Sequence, residues 1–394
     1  MHVGPVHPHD TISSTVTTAA ITSGTTPSLG VEEEFLLVAP DTGRPVPMAD
    51  AVRSFALEED GLTSEDGEVQ SEFLQVQLEI STPVCSGLDE VAGQLLRLRH
   101  LLGGAAERAG CRLAACGAAT DAGSDRMEVT AESRYLSMRD DAGQLAQEQL
   151  INGMHVHVGV PDRETRVDLL NRLRPWLVVI TALAANSPLW HGRDTGFASW
   201  RSLVFGRWPV TGVPPLFRDV EDYDARVAGL VDRGLIADSR QVYWLARLSD
   251  RHPTVEVRAA DVQLRVDDAV MIAGLVRALA MTLLEDESSR RASENCPPEV
   301  LAAGAWRAAR HGVSGDLLDP WTCRERRGQD VLADMVDYLR PALARAGDAR
   351  ETVSHVERLM DEGNGAERQR RALHERGLTG LNEFIISQTS ALTG

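Results

Sequence analysis

Four short segments of the sequence combine apolar residues with carboxylates, imidazoles and a guanidinium that could do chemistry. They are GVEEEFLLV at 30–38, FLQVQLEI at 73–80, GMHVHVGV at 153–160 and PTVEVRAAD at 253–261. In each segment apolar and polar residues alternate, which places the polar side chains on one face of a β-strand. The polar faces carry Glu32, Glu34, Gln75, Gln77, Glu79, His155, His157, Glu256 and Arg258.

These side chains suit a divalent metal ion if the four polar faces converge. Carboxylates within a few ångströms of one another cannot all stay ionised without a counter-ion. Oxygen ligands with one imidazole suit Mg²⁺ or Mn²⁺, whereas zinc prefers more nitrogen and sulfur ligands. Mg²⁺ held by few protein ligands usually also binds substrate phosphates. The residues alone therefore predict a magnesium-dependent enzyme that acts on a phosphate, built on one face of a sheet.

Each polar face also has a simpler explanation, because one face of an antiparallel sheet often meets water. For any single strand that explanation is the better one. Four such strands together favour the metal site, because solvated faces usually mix Thr, Ser, Lys and Arg. Here carboxylates and imidazoles concentrate, with little balancing positive charge.

The candidate residues need a sheet to position them and helices to cover its apolar face. Apolar periodicity predicts helices at 86–110, 162–185 with a kink at Pro175, 266–287, 297–311, 328–346 and 350–374. Residues 191–217, rich in Gly, Pro, Trp and Arg, are expected to form a long ordered loop. Strands and helices do not alternate as regular βαβ units. The sequence therefore predicts an α+β fold, with a largely antiparallel sheet, helices packed on one side and a helical C-terminal half.

The overall composition excludes several classes of protein. A net charge of −18 argues against a general binder of nucleic acids or of anionic membranes. All 40 basic residues are arginine, so the chain has no phosphate-loop lysine, Schiff-base lysine or lysine general base. No apolar stretch is long enough to predict a transmembrane helix. The five cysteines form no C-x-x-C pair, which argues against a disulfide scaffold and indicates a reducing cytoplasm.

The domain organisation is predicted from the same composition. Residues 1–27 are rich in Ser, Thr, Pro and Gly, and we expect them to form a disordered tail. Residues 28–380 are expected to form a single catalytic domain, and residues 381–394 a C-terminal tail.

Five motifs, taken together and in order, resemble a known family. They are LGVEEEFLLV (29–38), LEISTP (78–83), NGMHVHVGV (152–160), ANSPLWHGRDTGFASWRSLVFGRWPVTGVPP (185–215) and TVEVRAADVQ (254–263). The ordered set resembles the glutamate–cysteine ligase type 2 family, and within it the carboxylate–amine ligase branch. The resemblance extends from about residue 28 to 375. It implies a fold related to the catalytic domain of glutamine synthetase, in which a curved sheet forms a funnel for ATP and two or three Mg²⁺ ions.

The resemblance also implies which residues bind metal and phosphate. The matching positions for metal ligands are Glu32, Glu34, Glu79, His155 and Glu256. Arg258, two residues after Glu256, is the implied phosphate-contacting arginine. Glu33 points to the opposite face of its strand, where we expect it to pair with an arginine of the helical layer.

Three further residues are candidates for substrate binding: His157, Arg201 and Arg207. For His157, a hydrogen-bonded role in the core is an equally open alternative. The two arginines lie in the Trp-rich loop, and a guanidinium fork suits a carboxylate or a phosphate. For each of them the alternative is an ordinary surface arginine.

The activity that the resemblance implies is an ATP-dependent ligation. A small, glutamate-like carboxylic acid attacks the γ-phosphate of ATP and becomes an acyl phosphate, and a small amine then displaces phosphate to form an amide. The implied cofactor is Mg²⁺ or Mn²⁺, and a homodimer is one expected assembly. Two alternatives remain open at this stage: a metal-dependent amidohydrolase that uses the HVH motif, and a catalytically silent relative that binds Mg-ATP.

Overall fold

The computed structural model describes residues 26–60, 68–123 and 126–391. The predicted N-terminal tail falls almost wholly outside these residues. The strands are β1 (Leu29–Val38), β2 (Val69–Ser71), β3 (Gln77–Ser81), β4 (Arg112–Ala114), β5 (Gly153–Gly159), β6 (Leu189–Trp190), β7 (Arg193–Asp194), β8 (Thr211–Gly212), β9 (Tyr243–Trp244), β10 (Ala246–Leu248), β11 (Thr254–Asp261), β12 (Asp316–Leu318) and β13 (Glu325–Arg327).

Helices make up most of the remaining described chain. They are α1 (Ala49–Asp60), α2 (Leu88–Arg108), α3 (Ser133–Ala142), α4 (Gln144–Gln147), α5 (Arg163–Leu173), α6 (Trp176–Leu183), α7 (Trp200–Phe205), α8 (Val220–Asp232), α9 (Val266–Glu285), α10 (Glu287–Glu294), α11 (Pro298–His311), α12 (Gly328–Ala346), α13 (Ala349–Glu362) and α14 (Gly365–Thr389). Two short 3₁₀ helices span Ser239–Gln241 and Gly312–Ser314. None of the described helices is long and apolar enough to cross a membrane.

Seven strands form one sheet, in the order β10-β11-β5-β1-β3-β2, with β4 paired to the end of β1. All of these pairings are antiparallel, which confirms the predicted α+β fold with a largely antiparallel sheet. The register sets the polar side chains of neighbouring strands opposite one another. Glu32 pairs with His155, Glu34 pairs with Glu79, and Glu256 pairs with His157.

The other face of the sheet builds the core. Val31, Phe35, Val156 and Val257 are buried there, and α2, α6 and α9 pack on this side. Helix α9 is apolar on nearly every side, which suits a helix enclosed by the sheet and by other helices. Burying each such aliphatic or aromatic side chain contributes roughly 1.5–3 kcal/mol. This apolar face keeps the sheet in one register, because a shift of one residue would turn the glutamates into the core.

Glu33 lies on the core face of β1, between the two glutamates of the polar face. Its carboxylate accepts hydrogen bonds from Nε and Nη2 of Arg99, at 2.8 and 2.5 Å, and both residues are buried. Arg99 belongs to α2 and also donates to the backbone oxygens of Gln263 and Leu264. The predicted pairing of Glu33 with an arginine of the helical layer is therefore confirmed.

Several predicted boundaries are wrong. The alternating segment 73–80 is a strand only from residue 77, because residues 72–76 form the connection between β2 and β3. The segment predicted at 162–185, with a kink at Pro175, forms α5 and α6, and Arg174 and Pro175 at their junction keep right-handed helical dihedral angles. The predicted kink is therefore at the right residue, because a proline lacks the amide hydrogen and its ring clashes with the preceding turn.

The C-terminal prediction also needs correction. Helix α14 is interrupted at Gly377, whose φ of 66° is not helical, and then continues to Thr389, so residues 381–389 are packed helix and not a tail. Leu381 and Ile385 are buried, and Oγ1 of Thr389 accepts a hydrogen bond of 2.8 Å from the backbone nitrogen of Ala115. The predicted helix at 350–374 is divided by Gly363, where Asn364 caps the start of α14.

The cysteines differ in part from the prediction of reduced thiols. Cys296 and Cys323 are joined by a disulfide, across a sequence separation of 27 residues. Cys85, Cys111 and Cys116 are free and buried. Burial raises the pKa of each of these three thiols, to about 11 for Cys111 and about 12 for Cys116. The three are therefore structural thiols and not reactive ones.

Candidate active site

A cavity of about 930 Å³ lies on the polar face of the sheet. Strands β1, β3, β5, β10 and β11 supply its floor, and residues from α3, α7 and the loops around 249–253 supply its walls. The cavity collects most of the residues singled out from the sequence. Those that line it are Glu32, Glu34, Glu79, His155, His157, Arg201, Glu256 and Arg258.

One group of potential metal ligands consists of Glu32, His155 and Glu256. One ligand atom from each lies within 4.8 Å of the others. Nδ1 of His155 is 2.8 Å from Oε2 of Glu32 and 3.8 Å from Oε1 of Glu256. Nε2 of His155 is buried and finds no hydrogen-bond partner among the described residues. Oε1 of Glu34, which belongs to the second group described below, lies 3.8 Å from this nitrogen. Two carboxylates and one imidazole form a suitable donor set for Mg²⁺ or Mn²⁺.

The electrostatics of this first group also suit a cation. Burial raises the pKa of Glu32, but hydrogen bonds from His155 and His157 outweigh it and lower that pKa well below its usual value. Burial and the charge of Arg258 lower the pKa of His155, which favours the neutral imidazole that metals bind. For Glu256, the charges of Arg258 and Arg247 outweigh burial and lower the pKa. The two carboxylates are therefore ionised and the imidazole is neutral.

A second group consists of Glu34, Glu72 and Glu79, again with ligand atoms within 4.8 Å of one another. Sequence reasoning found Glu34 and Glu79 but missed Glu72. It immediately precedes the predicted strand 73–80, and the turn that follows it brings its carboxylate back beside Glu79. The sequence offers only a weak indication of this role for Glu72. It is a glutamate next to a segment of alternating apolar and polar residues, and no glycine or proline marks the turn that follows it.

This second group carries more negative charge than it can hold alone. Burial, with the charge of Glu34, raises the pKa of Glu72 to about 7. Burial and the charges of Glu32, Glu72 and Glu34 raise the pKa of Glu79 well above its usual value. The like-charge conflict predicted from the sequence is thus present, and a divalent cation would relieve it.

Arg258 lies at an irregularity in β11 that strand alternation does not predict. Val257 pairs with Val156 and Ala260 pairs with Met154, so β11 carries one extra residue between these two pairs. This β-bulge contains Arg258, which is buried and donates a hydrogen bond from Nη1 to Glu256. Bulges change the direction of a side chain and are frequent beside active sites. Arg258 and Glu256 both line the cavity, as alternation predicts, and the bulge adds a local irregularity that alternation does not predict.

Arg247, on β10, is a second guanidinium at the same carboxylate that sequence reasoning missed. Its Nε and Nη2 donate to Glu256 at 2.8 and 3.2 Å. Strand β10 has only three residues, so its alternation was too short to recognise. Glu256 is therefore held by two arginines, Arg258 from its own strand and Arg247 from the neighbouring strand β10.

The candidate substrate-binding residues separate into two groups. His157 lines the cavity, with Nδ1 2.9 Å from the Thr254 hydroxyl and Nε2 3.2 Å from Glu32. Burial lowers the pKa of His157, but the hydrogen bond and charge of Glu32 outweigh it and raise the pKa. Arg201 is buried and also lines the cavity. Arg207 does not line it, and instead pairs with Glu148 in the outer wall behind α7.

Comparison with known proteins identifies the family of this chain. The family model of glutamate-cysteine ligase family 2 matches residues 28–383. "Putative glutamate--cysteine ligase 2" of Salinispora arenicola is 44% identical over 347 residues, covering 88% of this chain and 90% of the relative. "Putative glutamate--cysteine ligase 2-2" of Mycolicibacterium vanbaalenii is 44% identical over 346 residues, covering 88% and 93%.

Two solved structures share the fold. The glutamate–cysteine ligase of Francisella tularensis in complex with AMP aligns with a TM-score of 0.68 at 11% identity, covering 93% of this chain and 90% of that one. A bifunctional glutathione synthetase from Pasteurella multocida aligns with a TM-score of 0.63 at 16% identity, covering 92% of this chain and 52% of that one.

Fold, cavity and relatives together define an ATP-dependent carboxylate–amine ligase. Within that class, the chain belongs to glutamate–cysteine ligase family 2. The family identified from the sequence motifs is confirmed. The family match does not favour the hydrolase alternative, and the HVH motif lies in an antiparallel sheet. Within the described part of the chain, neither group of metal-type ligands contains both of its histidines.

Proposed function

We propose that this ligase joins a glutamate-like carboxylic acid to a small amine through an acyl phosphate, with two divalent cations held on the polar face of the sheet. The observation that carries this proposal is the presence, in one cavity, of two separate groups of three metal-type ligands beside two buried arginines. Two such groups suit two cations, and enzymes that transfer a phosphoryl group from ATP use bridging Mg²⁺ ions to neutralise the phosphate oxygens.

The residues present suit Mg²⁺ or Mn²⁺. Glu32, His155 and Glu256 would hold one ion. Glu34, Glu72 and Glu79 would hold another. The raised pKa of Glu72 and Glu79 indicates that this second group lacks a counter-charge, which is the condition a bound cation corrects. When bound, such ions neutralise phosphate charge and align the γ-phosphate with its nucleophile.

The chain's own residues then account for the rest of the phosphoryl transfer. Arg258, in the bulge beside Glu256, would contact the γ-phosphate with its guanidinium, and its burial in the cavity beside the metal-type ligands supports this role. Arg247 keeps Glu256 oriented, and Arg201 presents a second buried guanidinium to the cavity. An oxygen of the acid attacks the γ-phosphorus and ADP departs. The amine nitrogen next attacks the acyl carbon, and the C–O bond to phosphate breaks as the amide forms.

Glutamate and cysteine are the first substrates to test, because the curated relatives carry those two names. The cavity, about 930 Å³ in volume, is large enough to contain a nucleoside triphosphate together with a small acid and a small amine. We therefore also propose that acids close to glutamate in length, and amines other than cysteine, are accepted.

The proposal is tested by measuring ADP and phosphate release with Mg²⁺ across a panel of acids and amines. We expect release that requires both an acid and an amine, and an amide product equal in amount to the ADP. Amide hydrolysis without ATP would support the hydrolase instead. Tight Mg-ATP binding with no turnover for any pair would support the catalytically silent alternative. As a matched control, Arg207→Met should leave release unchanged, because Arg207 lies outside the cavity.

A further inference from the structure

Asp261 ends β11, the strand that carries Glu256 and Arg258, but it lies beyond the metal groups. Its carboxylate is buried, with 1% of the residue exposed. Its oxygens accept hydrogen bonds from the backbone nitrogen of Asn186 at 2.8 Å, and from the hydroxyls of Ser187 and Ser199 at 2.6 and 2.8 Å. One carboxylate thus holds both ends of segment 186–199 against the end of β11.

The same carboxylate is linked to Arg201, which lies in the first turn of α7. The backbone nitrogen of Arg201 donates to Oγ of Ser187 at 3.0 Å, and Nη1 of Arg201 lies 3.9 Å from Oδ1 of Asp261. Nη2 of Arg201 donates to the backbone oxygen of Arg258 at 3.3 Å. Arg201 therefore connects Asp261 to the bulge that directs Arg258.

The packing around this connection leaves little room for movement. A Cβ atom added to Gly117 would lie 2.7 Å from the carboxylate of Asp261. A Cβ atom added to Gly153 would overlap Nη2 of Arg201. Two residues without side chains thus make the space in which the carboxylate and the guanidinium are fixed.

We propose that Asp261 is a positioning residue of this ligase. Through Ser187 and Arg201 it fixes the backbone carbonyl of Arg258 in the bulge. It thereby orients the guanidinium groups of Arg201 and Arg258 toward the bound phosphate. This inference rests on the proposed function, in which Arg258 contacts the γ-phosphate. Asp261 itself does not line the cavity, so it acts only through its neighbours.

The test is a double-mutant cycle of Asp261→Asn and Arg201→Met, with single-turnover ADP formation, Mg-ATP affinity and Mg²⁺ affinity measured for every variant. Ser187→Ala is the milder variant, because it removes the hydroxyl that joins the carboxylate to the backbone nitrogen of Arg201 and leaves the direct contact of Arg201 Nη1 with Asp261 in place. Asp348→Asn is the matched control. Asp348 is also buried and accepts hydrogen bonds from an arginine, Arg277, at 2.6–3.1 Å, but it does not line the cavity.

We expect Asp261→Asn to slow single-turnover ADP formation roughly 10²-fold, the scale on which a small misplacement of catalytic groups acts. Ser187→Ala should slow it by a smaller factor. Mg²⁺ affinity should not change in either variant, because no metal ligand is touched. In the Arg201→Met background, Asp261→Asn should add no further loss, since the connection is already broken. Asp348→Asn should lower thermal stability while leaving the rate unchanged.

Additive losses in the cycle, or normal ADP formation in folded Asp261→Asn, would overturn the inference. If Asp261→Asn does not fold, Ser187→Ala decides: normal ADP formation in it overturns the inference, and a loss that disappears in the Arg201→Met background supports it. Failure of the proposed function is distinct, because the wild type would then form no ADP with any acid and amine. In that case the double-mutant cycle is evaluated with the Mg-ATP affinities of the four proteins. Additive changes in affinity overturn the inference, and non-additive changes support it.

Discussion

At the residue scale, the cavity is defined by an excess of carboxylate that buried arginines balance only in part. Glu256 is paired with Arg247 and Arg258, whereas Glu72 and Glu79 form no ion pair with an arginine of the described residues and lie beside Glu34. The first group is thus ready to bind a cation, and the second requires one to be fully ionised. This difference makes the behaviour of the metal-free protein informative.

Glu72→Gln tests the residue that sequence reasoning missed. Removing one charge should weaken Mg²⁺ binding by at least about tenfold, or about 1.4 kcal/mol, while relieving repulsion in the metal-free protein. Titration calorimetry should show the loss of affinity, and thermal melts in EDTA should show equal or higher stability. Glu68→Gln is the control, because Glu68 also lines the cavity but pairs with Arg97 at 2.7 Å and belongs to neither ligand group. Unchanged Mg²⁺ affinity in Glu72→Gln would remove Glu72 from the site.

Arg258→Lys separates charge from geometry. A lysine keeps the charge but cannot hold two phosphate oxygens in a planar fork. Mg-ATP affinity should stay within about tenfold, roughly 1.4 kcal/mol. Single-turnover ADP formation should fall by about 10²-fold or more, because the contact strengthens as charge develops in the transition state. Equal losses in affinity and rate would mean that Arg258 acts only on the ground state.

The raised pKa of Glu72 predicts a pH dependence of stability in the metal-free protein. With a folded pKa of about 7, the native state binds more protons than the unfolded state between about pH 4.5 and pH 7. The free energy of unfolding should therefore fall as pH rises through that window. Saturating Mg²⁺, or Glu72→Gln, should flatten the slope in chemical denaturation at several pH values. A slope of the opposite sign in EDTA would contradict the electrostatic account.

At the scale of elements, alternation along β1, β5 and β11 was enough to place most of the site. It separated Glu32 and Glu34 from Glu33 because side chains of a strand change face at every residue. It could not reveal where a strand stops. Residues 73–76 have strand-forming side chains and no turn residue, yet they form the turn that brings in Glu72. The bulge at Arg258 was equally hidden, because only the partner strand shows that a residue is extra.

The end of α14 carries a prediction at this scale. A chain ending at residue 380 would lose the buried side chains of Leu381 and Ile385, worth roughly 1.5–3 kcal/mol each. We expect it to lose at least about 3 kcal/mol of stability in chemical denaturation, on that basis. A chain ending at residue 390 is the control, since it keeps the whole helix. Equal stability of the two chains would restore the original view that this end is a tail.

At the scale of the whole molecule, composition and motif order were enough to predict the class of fold and the family. The antiparallel sheet with a helical C-terminal half followed from the lack of βαβ units. Helices α1 and α8 were missed, although both are amphipathic, so their periodicity was available and was not used. A single domain over 28–380, a homodimer and a cytoplasmic location remain predictions. Sedimentation with and without residues 1–27 would test the assembly, and we expect the tail to have no effect on it.

The central claim is that a carboxylic acid is activated by direct phosphorylation in this cavity. The measurement that tests it most directly uses an acid labelled with ¹⁸O in its reacting carboxylate, together with Mg-ATP and an accepted amine. Attack of that carboxylate on the γ-phosphorus leaves its oxygen in the P–O bond, and amine attack at carbon then releases it with phosphate. The account predicts one ¹⁸O atom in each phosphate released. Unlabelled phosphate, formed together with the amide, would contradict it.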